Sequence, residues 1–166
     1  MSGEPSLLAI HEAAHAVAMV HLGLPVAQVS VLGSTAWQDG VARHTRAFVS
    51  GAMATAPQSV ALVSLAGCAA QVVAGSKQYE LVCGGREDYQ SEAERVARWT
   101  KANHRADFAL YSQARGVDEV LPEDAAVALE FVKANRDPIR AVAETLMERG
   151  QLSGAEVTAV LAPKQD

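Results

Sequence analysis

The chain has few aromatic residues, few cysteines and no long block of like charge. Phe, Trp and Tyr make up 5% of its 166 residues, while Ala is abundant. Such a sequence favours helices that pack closely through small side chains. Its two cysteines, Cys68 and Cys83, are too few for the disulfide framework of a small secreted domain. They read as reduced thiols, and the expected location is cytoplasmic. Lys and Arg number 14 against 19 Asp and Glu, a net charge of -5, with no basic run. A nucleic-acid partner therefore has no electrostatic footprint. The most apolar stretch, residues 60–74 (VALVSLAGCAAQVVA), falls short of the ~20 residues that a membrane span needs. Ser64, Gly67 and Gln71 interrupt it, so it reads as a buried helix, and no membrane association is expected. The first residues lack the cationic start, apolar run and cleavage site of a signal peptide.

What the chain does have is 49% hydrophobic residues, enough for one domain over 1–166 with a frayed end at 162–166. Residues 6–22 read as a helix, with Pro5 at its first turn and Gly23 as its stop. The β-branched segment 26–32 suggests a strand, and 40–46 could return beside it. A buried helix is expected over 57–74, closed by Gly75, then a loop over 76–86. Further helices are expected over 88–103, 105–114 and 122–149, with Pro138 kinking or splitting the last. Ser153 and Glu156 have capping-box spacing ahead of a final helix over 154–161. The fold class is mainly α with one small antiparallel β-sheet.

Within the first helix, residues 11–15 read His-Glu-Ala-Ala-His. At about 100° per residue, positions four apart lie about 40° apart on one face. His11 and His15 can thus aim both imidazoles at one metal ion. Glu12, about 60° further round, can reach a metal-activated water without displacing a ligand. This is the pattern of a zinc peptidase: Zn2+ lowers its water's pKa to about 7, and the glutamate carries the proton. Two ordinary histidines on an amphipathic helix are the bland alternative. Burying both with a glutamate among small apolar neighbours is costly without a partner such as a metal.

A catalytic zinc usually has a third protein ligand. His21 nearly fits the longer metzincin spacing, but Ala18 stands where that pattern has the Gly that ends the helix. On a continuous helix His21 would lie about 9 Å beyond His15, so it is excluded. Cys83, Glu87, Asp88, Glu92, His44 and His104 remain. Asp88 stands out because it follows Gly84-Gly85 and begins a helix, although an ordinary N-cap carboxylate explains it equally well.

Most of the chain resembles, in order, the peptidase domain of the FtsH/AAA-type zinc proteases. The likeness is carried by His-Glu-Ala-Ala-His-Ala-Val from His11, by the strand-like segment 26–32 and by Gly40. It continues through LVSLAGCAAQVVAG (62–75), GGREDYQSEAERVA (84–97) and TLMERGQLSGAEVTAVL (145–161). The resemblance implies a mainly helical zinc peptidase with Glu12 as general base and His11, His15 and Asp88 as metal ligands. It also implies a peptide or unfolded protein substrate, held extended beside the small sheet. Cys68 replaces the family's usual Arg, and Gln71 its usual Glu. There is no P-loop, so the expectation is a stand-alone domain that takes flexible peptides or borrows a separate ATPase partner. Related ring-forming proteases suggest a homo-oligomer. Two other readings compete: a small repressor-clipping zinc peptidase of another clan, and a non-catalytic module stabilised by zinc.

Overall fold

A computed structural model describes residues 3–31, 56–75 and 91–164, where seven helices and two short strands form. Helix α1, Leu7–His21, starts where the Ser6 hydroxyl accepts the Ala9 N–H at 3.1 Å. Ser6 thus caps the helix, and Pro5 lies just outside it. Gly23, at φ +70°, ends it in the left-handed conformation that a residue without Cβ adopts at little cost. Helix α2, Pro57–Val73, has Pro57 in its first turn and is buried almost all round. It is the central element: α1 packs on it, and so do α3 (Glu92–Asn103), α4 (Arg105–Arg115) and α5 (Pro122–Ala134). Such crowding around one rod requires small residues, and Ala61, Ala66, Gly67, Ala69 and Ala70 are buried or face a neighbour closely.

Helices α3 and α4 are separated by one non-helical residue, His104, at φ -127° and ψ 68°. The expected long helix over 122–149 is split into α5 and α6 (Arg136–Arg149) at Asn135. Pro138 falls in the first turn of α6, where its missing N–H would have no helical partner in any case. Helix α6 packs on α1 from the other side. The Ser153–Glu156 capping box opens α7, Gly154–Leu161, as expected.

The sheet has a strand partner the sequence did not suggest. Strand β1, Gln28–Ser30, pairs antiparallel with β2, Gln151–Ser153, in the register Gln28↔Ser153, Val29↔Leu152 and Ser30↔Gln151. Val29 and Leu152 face each other, and both are buried. The return strand anticipated at 40–46 lies outside the described residues. The small sheet ties the end of the chain to the end of α1. Among the described residues no helix is long and apolar enough to cross a membrane.

Candidate metal centre

His11, Glu12 and His15 lie on the buried face of α1, turned toward α2 and α4. His11 is fully buried, and its imidazole lies against Gly67 of α2. A Cβ at Gly67 would come within 2.6–2.7 Å of three ring atoms. Here glycine is required by close approach, since a real Cβ essentially never comes that near another heavy atom.

Each histidine is oriented by a hydrogen bond from its Nδ1. His15 Nδ1 donates to the Val63 carbonyl at 2.7 Å. His11 Nδ1 faces Gln71 Oε1 at 3.3 Å. The Gln71 amide cannot be turned over. Trp99 Nε1, which can only donate, gives its proton to Gln71 Oε1 at 2.6 Å. Gln71 Nε2 donates to the Leu7 carbonyl at 3.3 Å. With acceptors fixed opposite both Nδ1 atoms, the neutral imidazoles carry their protons there. Their Nε2 lone pairs then point at each other across 2.9 Å.

A third acceptor closes the triangle. Asp107 Oδ2 lies 3.0 Å from His11 Nε2 and 3.4 Å from His15 Nε2. Asp107 is in the first turn of α4, where the helix dipole favours an anion. It is there because α3 stops at His104 and α4 starts afresh against α2. Three acceptor atoms this close need a proton or a metal ion between them. A tetrahedral zinc with bonds of about 2.0–2.2 Å would hold its N and O ligands about 3.3 Å apart. The observed sides of 2.9, 3.0 and 3.4 Å bracket that spacing.

The electrostatics agree with a site short of positive charge. Burial alone would lower the His15 pKa, but the Asp107 carboxylate, Glu12 and the Val63 carbonyl carry it up to about 9. Burial likewise disfavours an ionised Asp107, yet the two imidazoles hold its carboxyl far below the usual carboxylate range. In metal-free protein a proton on His15 supplies the missing cation.

His104 and Cys68 complete the surroundings. The His104 ring stacks on His11, centroids 4.3 Å apart. Its pKa falls to about 3, chiefly through burial. Cys68 is fully buried, and burial and the nearby Asp107 raise its thiol well above the usual range. Ligand atoms of His11, Cys68, His104 and Asp107 lie within 4.8 Å of one another.

The structure thus brings together His11, Glu12, His15 and His104 from the residues singled out in the sequence. His21 is exposed at the end of α1, edge-on to Phe131 at 5.2 Å, and takes no part. Glu92 pairs with Lys133 at 2.8 Å, away from the site. Asp88, the ligand implied by the resemblance, lies outside the described residues, as do His44, Cys83 and Glu87. The sequence reading missed Asp107. Its one local signal is its position three residues after His104, in the first turn of a helix, which is also where acids sit simply to cap helices.

Comparison with known proteins finds no matching family, no similar curated protein and no similar solved structure.

Proposed function

We propose that this protein is a zinc-dependent metallopeptidase in which His11, His15 and Asp107 hold the ion and Glu12 acts as general base. The reading rests chiefly on one observation: three acceptor atoms converge within 3.4 Å, two of them from a His-Glu-x-x-His helix. Val63 and Gln71 support it by fixing both imidazoles with Nε2 toward the common point. Two neutral nitrogens and one carboxylate leave a bound Zn2+ net positive. Zinc there supplies a Lewis acid and an acidified water. Glu12, next to His11 and close enough to influence both His15 and Cys68, takes a proton from the attacking water and returns it to the leaving amine. The substrate class proposed is an extended, flexible peptide, in line with the FtsH/AAA-type resemblance.

Cleavage of an unstructured fluorogenic peptide by zinc-loaded protein tests the reading. Glu12→Gln should lower the rate by at least ~100-fold and leave zinc content unchanged. Equal rates in the two proteins would sink it. The burial of Glu12, 1% exposed, favours a second reading, a zinc-stabilised module without catalysis. In that case neither protein cleaves, and chelation lowers the melting temperature of both equally.

A further inference from the structure

We infer that the centre has a second, closed seat for the same ion, in which Cys68 and His104 join His11 and Asp107 and His15 is released. This rests on the metal reading above and adds a latent state to it. Four donors, two imidazoles, a carboxylate and a thiol, lie within 4.8 Å of one another, and all four residues are buried. A tetrahedral zinc with Zn–N and Zn–O of about 2.0–2.2 Å and Zn–S of about 2.3 Å needs them about 3.3–3.7 Å apart. The widest separation therefore has to contract by about 1.1–1.5 Å.

His104 is the single non-helical residue between α3 and α4, and that break brings its ring onto the His11 ring, centroids 4.3 Å apart. Cys68 follows Gly67, the residue on which His11 rests, and its Sγ lies within 4.8 Å of the ligand atoms of His11, His104 and Asp107. A buried cysteine is often no more than a small apolar filler. Here it stands among three other metal-ligating side chains, and soft thiolates are strong zinc ligands.

The exchange balances simply. The Sγ–metal bond would form as the His15 Nε2–metal bond breaks, the thiol proton passing to the imidazole nitrogen so released, and His104 would coordinate through a ring nitrogen. Four protein ligands then fill a tetrahedral ion and leave no position for water, the mark of a closed site rather than a catalytic one. The open seat would hydrolyse peptide and the closed seat would store the metal.

Cobalt(II), loaded into the full chain, reads the ligands directly, because a thiolate ligand gives an intense near-ultraviolet charge-transfer band. The wild-type protein should bind cobalt and show the band. Cys83→Ser should keep it, and Cys68→Ser should lose it. His15→Ala should still bind cobalt with the band at full strength. Should Cys68→Ser fail to fold, the band in Cys83→Ser decides alone, since the chain has only two cysteines. Cobalt bound without the band, a band that disappears with Cys83, or a His15→Ala protein that binds no cobalt overturns the closed seat and leaves the three-ligand centre standing. A wild-type protein that binds no cobalt overturns both.

Discussion

At His11 an imidazole is held between a glycine and a carboxamide, and both neighbours have consequences that can be measured. Gly67→Ala would push a methyl into the ring at 2.6–2.7 Å, so the ring or α2 must shift. The expected outcome is a 10–100-fold loss of zinc affinity, about what is lost with other outer contacts of metal ligands. Overpacking should cost about 1–3 kcal/mol of stability as well. Zinc titration and thermal melting of Gly67→Ala check the two effects, and unchanged affinity would mean that His11 does not bind metal. His15 gives a pH dependence. Its pKa is about 9 in the folded, metal-free protein against 6.5 for the free side chain. A raised pKa contributes stability that is fully present below pH ~6.5 and is lost as the pH climbs through ~9. Chelated protein should therefore melt at a lower temperature at pH ~9.5 than at ~6.5. Zinc-loaded protein should lose less, because Nε2 then holds the metal rather than a proton. A chelated protein equally stable at both pH values contradicts the assignment.

At the scale of elements, the β1–β2 pair depends on backbone contact. A Cβ at Gly154 would lie 1.9 Å from the Val26 carbonyl oxygen, and Gly154 N donates to Ala27 at 3.3 Å. Gly154→Ala should part the strands and destabilise the protein by at least about 1–3 kcal/mol, measured by denaturant unfolding. A neutral effect would mean that the two segments are not in contact. This sheet also marks how far local sequence can be read. The capping box at Ser153 and Glu156 was legible because its two partners lie three residues apart. Strand β2 was not, since three residues are too few for an alternating pattern and its partner is more than a hundred positions away. The glycine stops at Gly23 and Gly75 were legible, and both have positive φ.

For the whole molecule, the site is the meeting point of α1, α2 and α4; the sequence grouped its α1 component and offered His104 as one of six further candidates. His11, Glu12 and His15 lie within one turn of one helix, so helical geometry alone groups them. Asp107 reaches them across a separation of 96 residues, through the break at His104 and the packing of α4 on α2. No local pattern carries that information. Gln71 and Cys68 looked in the sequence like departures from a family pattern, and in the fold both stand beside His11. The central claim is that Asp107 closes a three-ligand metal centre with the two motif histidines. The most direct test is elemental analysis of wild-type, Asp107→Ala and Asp88→Ala proteins purified without chelator. The account predicts about one zinc per chain in the wild type and in Asp88→Ala, and a loss of most zinc in Asp107→Ala, because the three-ligand centre then keeps only two ligands and the closed seat is incomplete as well. Full zinc in Asp107→Ala together with its loss in Asp88→Ala would contradict it.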